Sequence, residues 1–139
     1  MSYLLDTNVV SELARARPAE AVVAWFADVP DEALYLSVLT LGELRRGVEA
    51  LPGGAKRERL RRWLEADLPG WFGDRLLPVD AAVADRWGRL NASARPTLPA
   101  VDGLLAATAL QHDCRMVTRN VADFEIPGLD VVNPWNASR

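Results

Sequence analysis

Cysteine, histidine and lysine each occur once in the 139 residues, as Cys114, His112 and Lys56. A lone cysteine excludes an internal disulfide and any cysteine-based zinc site, which makes a reducing, cytoplasmic setting the expectation. The lone histidine has no partners for a Ser-His-Asp or Cys-His arrangement and reads as a cap or surface residue. No apolar run approaches the roughly 20 residues that span a bilayer, and no basic stretch followed by an apolar one opens the chain. Neither a membrane nor an export route is therefore expected. Glycine-rich phosphate loops of the dinucleotide or P-loop kind are missing too, as are internal repeats and low-complexity segments.

What is present is the profile of one soluble globular domain, with half the residues apolar and a quarter charged. The domain is expected over residues 1–135, with 136–139 as a loose tail and little order anticipated from Asn133 onward. A net charge of −3 does not advertise a nucleic-acid binder. Its distribution says more than its sum. The cations are almost all arginine, whose planar fork suits phosphate, and they gather at Arg45 and Arg46, at Lys56 to Arg62, and at Arg95 and Arg119. The run from Lys56 to Arg62 reads by itself as a solvated helix face.

Tyr3-Leu4-Leu5 reads as a short buried strand that stops at Asp6 and turns into a helix through Thr7 and Asn8. Pro18 suits the first position of a second helix, whose Val22, Trp25, Phe26 and Val29 follow helical spacing. Leu34 to Ser37 is a second strand, followed by a helix from about Leu39 to Leu51 with Glu43 on its flank. A basic amphipathic helix over 56–68, an edge strand near Leu76 to Val79, and a helix capped by Asp80 fill the middle third. Pro99 starts a helix with Asp102 in its first turn; Cys114 to Thr118 and Val131-Val132 are the last strands.

Strands alternating with helices imply a parallel sheet wrapped on both faces, with right-handed crossovers. The loops after the first, second and fourth strands then reach one edge, so Asp6, Glu43, Asp102 and Asp123 can converge there. Each has an ordinary alternative: Asp6 and Asp102 are also where a helix wants a capping acid. Four clustered carboxylates repel, by a few kcal/mol per close pair at an effective dielectric near ~20, and so demand a cation. An oxygen-only donor set suits Mg²⁺, with Mn²⁺ able to substitute. Such an ion activates water and holds a phosphate oxygen, so phosphodiester hydrolysis follows, with Arg45, Arg46, Arg95 and Arg119 available for the substrate backbone.

Four segments carry a resemblance: Leu4 to Glu12 with Asp6-Thr7-Asn8, Ser37 to Arg46 with Glu43, Pro99 to Ala107 with Asp102, and Val117 to Phe124 with Asp123. In this order and spacing they resemble a PIN domain, specifically a VapC-type toxin of a bacterial toxin-antitoxin pair. The resemblance implies a Rossmann-like, three-layer α/β/α fold around a parallel sheet of four to five strands, and a Mg²⁺-dependent endoribonuclease. It implies Asp6, Glu43, Asp102 and Asp123 as the catalytic, metal-binding quartet, with Thr7, Asn8, Thr118 and Asn120 as supporting polar residues. It further implies a homodimer, inhibition by a VapB-type antitoxin in a hetero-oligomer, and contact with DNA only through that antitoxin. The competing reading is a catalytically silent PIN-like module that acts through a protein partner. A phospho-acceptor domain wants an acid pair and a late lysine, and a haloacid-dehalogenase-like phosphatase wants Asp-x-Asp; this chain offers neither.

Overall fold

In the computed structural model, which describes residues 1–136, five parallel strands form one sheet. They are β1 (Ser2–Leu5), β2 (Leu34–Ser37), β3 (Leu76–Leu77), β4 (Cys114–Val117) and β5 (Val131–Val132), in the order β3-β2-β1-β4-β5. β1 is thus the central strand, with Leu4 beside Tyr35 on one side and Met116 on the other. Adjacent strand residues face opposite ways, so Leu4 and Leu5 each anchor a separate core. Leu5 packs with Val9, Leu36, Leu44 and Leu68; Leu4 packs with Leu105, Ala106, Met116 and Phe124. Both leucines are fully buried, worth roughly 1.5–3 kcal/mol each. A sheet with a core on each face is the expected three-layer α/β/α arrangement.

The face of Leu5 is covered by α1 (Thr7–Leu13), α2 (Glu20–Asp28), α3 (Val38–Glu49), α4 (Ala55–Arg62) and α5 (Leu68–Phe72). The face of Leu4 is covered by α6 (Ala81–Ser93) and α7 (Ala100–Gln111). Ser37 caps α3 by accepting the Leu39 N–H, and Asp80 caps α6 by accepting that of Val83. Ala106 and Ala109 let α7 lie against the sheet, and Gly103 brings it onto α6: a Cβ there would meet the Trp87 ring at 3.1 Å.

Four expectations are corrected. The second helix begins at Glu20 rather than Pro18, because the buried Glu12 carboxylate accepts the Ala19 N–H at 2.8 Å and holds the chain extended there. The expected basic helix over 56–68 is α4 followed by a π-helical turn, Trp63–Asp67, before α5. Pro69 has no N–H to give the carbonyl of Glu65, and the turn before it widens so that Leu68 N–H reaches the Trp63 carbonyl. The third strand, expected over 76–79, ends at Leu77 with Pro78 just beyond it, and it does lie at an edge of the sheet. The chain is not loose from Asn133: Pro134 is buried and Trp135 packs on the Leu5 core. Of the tail expected over 136–139, only Asn136 falls among the described residues.

Candidate active site

Asp6 follows the last residue of β1 and its N–H donates to the Val117 carbonyl at 2.9 Å, so the end of the β1–β4 ladder fixes its backbone. Its side chain is buried and serves two purposes. Oδ1 accepts the Thr7 N–H at 2.8 Å, capping α1 as one sequence reading expected. Oδ2 turns toward β4 and accepts the hydroxyl of Thr118 at 2.8 Å, with the Asn8 amide at 3.3 Å. Capping and site membership are therefore not rivals at this residue.

The supporting polar residues form one network. Thr118 spends its only proton on Asp6, and its oxygen accepts the Asn120 N–H at 3.0 Å. Asn8 reaches Thr118 with its amide at 3.4 Å and accepts the Arg119 N–H at 3.2 Å. The start of α1 and the end of β4 are thereby stitched together around the carboxylate. Thr7 adds a third element: its hydroxyl donates to Glu43 Oε1, which ties α3 to the same edge. The family resemblance implied these residues as supporting polar groups but carried no sign of which hydroxyl would hold which carboxylate.

Asp102 stands in the first turn of α7, half-buried, and no side chain caps that helix. Its place in the first turn, where the helix dipole favours a negative charge, is as one sequence reading expected. Asp123 lies exposed in a 3₁₀ turn, Val121–Phe124, just beyond β4. Burial raises the Asp6 carboxyl above its ordinary range, hydrogen bonds from Thr118 and Thr7 pull it back, and the charges of Glu43 and Asp123 push it up again. Asp102 is raised by burial and then by the charges of Asp6, Asp123 and Glu43. Asp6 and Asp102 are thus within electrostatic reach of each other and of both Glu43 and Asp123. Among the described residues, none of them is in an ion pair.

This donor set fits a hard divalent cation: its ligand atoms are oxygens, and among the described residues no ion pair offsets its negative charge. Among the described residues, no three acidic, histidine or cysteine side chains are grouped closely enough to hold a metal ion as they stand. The hydroxyls of Thr118 and Thr7 hold Asp6 and Glu43 in place, whereas no side-chain hydrogen bond restrains Asp102 or Asp123 among the described residues.

The expected substrate-binding arginines separate by their partners. Arg45 is engaged by Glu65 at 2.8 Å and Glu49 at 3.3 Å on the outer side of α3. Arg95 donates to the Ala92 and Ala94 carbonyls of its own loop. Arg119 lies over the Trp135 ring at 4.8 Å, beside the Asn8–Thr118 network, and Arg46 is exposed with no ion pair among the described residues.

A large cleft of about 720 Å³ takes in Glu43 and Thr7, with an apolar floor from α3, α4 and Trp63. Sequence reading missed it. Its walls come from α1, α3 and α4, and only the fold brings these together.

The sequence model of the PIN domain matches residues 3–125, a span that includes all four acids. The VapC ribonuclease Y4jK of Sinorhizobium fredii is 40% identical over 95% of this chain and 96% of its own length. The toxin FitB of Neisseria gonorrhoeae is 40% identical over 96% of this chain and 98% of its own. A chain in the structure of FitAB bound to the IR36 DNA fragment superimposes with a TM-score of 0.91 at 38% identity, covering 99% of this chain and 98% of that one. The family model covers most of the chain and both relatives align over nearly all of it, so the chain belongs to the PIN domain family alongside VapC- and FitB-type proteins.

Proposed function

We propose that this chain is a Mg²⁺-dependent endoribonuclease and the toxin of a toxin-antitoxin pair. The observation that carries the reading is the gathering of Asp6, Glu43, Asp102 and Asp123 at one sheet edge, where two of the carboxyls are raised partly by the charge of the others. Asp6, Glu43, Asp102 and Asp123 would hold the ion, which Mn²⁺ can replace. When bound, it supplies an activated water and a counter-charge for the phosphate. Thr118 and Asn8 fix the direction of Asp6, and Thr7 fixes that of Glu43, so these oxygens need little reorganisation. Exposed Arg46 and Arg119 flank the acids and take the RNA backbone; Arg45 and Arg95 could do so only by giving up their present partners.

The names of the relatives support the ribonuclease and toxin assignments. The FitAB complex on DNA supports a small VapB-type antitoxin as partner, with DNA reached through that antitoxin. A homodimer within the complex and a cytoplasmic location complete the reading. No helix among the described residues is long and apolar enough to cross a membrane.

The test is cleavage of RNA by antitoxin-free protein. Mg²⁺ or Mn²⁺ should support cutting, EDTA should stop it, and Asp6→Asn should abolish both cutting and toxicity on expression. Purified protein that cuts no RNA with either metal, together with unchanged toxicity of Asp6→Asn, would leave the silent binding module as the answer.

A further inference from the structure

The cations of α4 divide into two sets. Arg57 and Arg61, four residues apart, are committed to carboxylates: Arg57 to Glu49 at 2.9 Å, and Arg61 to Glu58 at 2.7 Å and Glu65 at 2.9 Å. Lys56, Arg59 and Arg62, spaced by three, line the other side, where two clefts meet. None of these three is in an ion pair among the described residues. Arg59 donates to the Ala14 carbonyl at 3.2 Å, which fixes its direction and leaves its charge uncompensated.

The clefts form a continuous path. The larger, about 720 Å³, is lined by Lys56 and Arg59, with Arg17 contributed by the loop after α1. The smaller, about 510 Å³, shares Arg59 and Trp63 with it and adds Arg62. Thr7 and Glu43 also line the larger cleft, so the path reaches one of the four acids. A groove with a row of uncompensated cations and an aromatic wall is how proteins hold a single strand without reading its sequence.

We propose that the RNA strand runs from the acids along this cleft, with its phosphates on Lys56, Arg59, Arg62 and Arg17. Continuity selects RNA as the occupant. A strand whose scissile phosphate lies at the acids must continue over an adjoining surface, and this adjoining surface carries the positive charge. The proposal rests on the endoribonuclease reading, and it replaces the view of the Lys56–Arg62 run as a uniformly solvated face.

Binding is measured with a single-stranded RNA on protein carrying Asp6→Asn, so that substrate survives, across a salt series. Adding Lys56→Gln, Arg59→Gln and Arg62→Gln should weaken binding at least tenfold. It should also make the slope of log affinity against log salt shallower by about 2, at roughly 0.7 per phosphate contact on a single strand. Arg57→Gln with Arg61→Gln, which removes paired cations from the same helix, should leave both quantities nearly unchanged. Where the triple variant does not fold, Arg17→Ala with Lys56→Ala gives the same reading with a slope change of about 1.4. Unchanged affinity and slope in folded variants would overturn the track, as would equal losses in the Arg57 and Arg61 control. Cleavage by the unsubstituted protein separately reports on the endoribonuclease reading: an enzyme that cuts RNA while the variants bind normally loses only the track.

Discussion

The Thr118 hydroxyl donates to Asp6 Oδ2 at 2.8 Å across 112 positions of sequence, with Thr118 fully buried. This bond adds a side-chain tie to the backbone pairing of the two strands whose ends frame the acids. Thr118→Val keeps the shape and removes the donor. A hydrogen bond to a charged group contributes about 1.5–3 kcal/mol, so the melting temperature should fall. The lost bond is also one that holds the Asp6 carboxyl down, so its removal raises that carboxyl further. Cleavage should drop about tenfold to a hundredfold, as for partners that orient metal ligands. The pH needed for half-maximal Mn²⁺ binding should move upward; an unmoved pH profile would reduce Thr118 to a packing residue.

Stability of the metal-free protein should depend on pH in the sense opposite to that of a salt-bridged carboxylate. Asp6 and Asp102 are both raised above the ordinary value of 3.8, so the folded state holds their protons more tightly than the unfolded one. Their contribution is fully present below that value and is lost as pH rises through the raised folded values. At pH 7 both acids therefore oppose folding until a cation joins them. Asp102→Asn should raise the metal-free melting temperature at pH 7, leave it unchanged at pH 3, and shrink the rise produced by Mg²⁺. A thermal melt of the two proteins at both pH values, with and without Mg²⁺, checks all three.

The outline of this site was legible because the signals that carry it are local. A run of apolar residues ending in Asp6-Thr7-Asn8 reads as strand, turn and helix, and alternation of such units sets the sheet. What stayed hidden depends on partners elsewhere in the chain. A buried threonine at a strand end looks like any β-branched strand residue, so only the family resemblance drew Thr118 to the site, and nothing named Asp6 as the carboxylate it holds. Glu12 looks solvated on an amphipathic helix until the next helix is seen to start on it. The π-helical turn at Trp63–Asp67 leaves no mark on a period of 3.6. The split of α4's cations and the pairs of Arg61 with Glu58 and Glu65 are visible as spacing, but Glu49 is brought to Arg57 by the fold.

Cys114 sits at the start of β4 with its thiol buried, and burial first, then the charge of Asp113, pushes it up to about 11. The thiolate is the reactive form, so the folded protein should resist alkylation at pH 8. Iodoacetamide labelling followed by mass spectrometry should show little modification in buffer and complete modification in denaturant. Rapid labelling of folded protein would mean that β4 opens readily.

Glu12 is buried, 6% exposed, and its Oε2 accepts the Ala19 N–H at 2.8 Å while Oε1 meets Arg15 at 3.3 Å. The exposed Arg15 adds little, because an ion pair open to water is worth about 0–1 kcal/mol. The Ala19 bond matters more, since the chain there must stop being extended and start α2. Glu12→Ala leaves that N–H without its acceptor and should cost about 1–3 kcal/mol. Glu12→Gln keeps an oxygen at the same place and should recover most of the loss. Arg15→Ala should change stability by less than about 1 kcal/mol. Urea melts of the three variants separate the explanations: if Arg15→Ala costs as much as Glu12→Ala, the ion pair rather than the helix start is what Glu12 maintains.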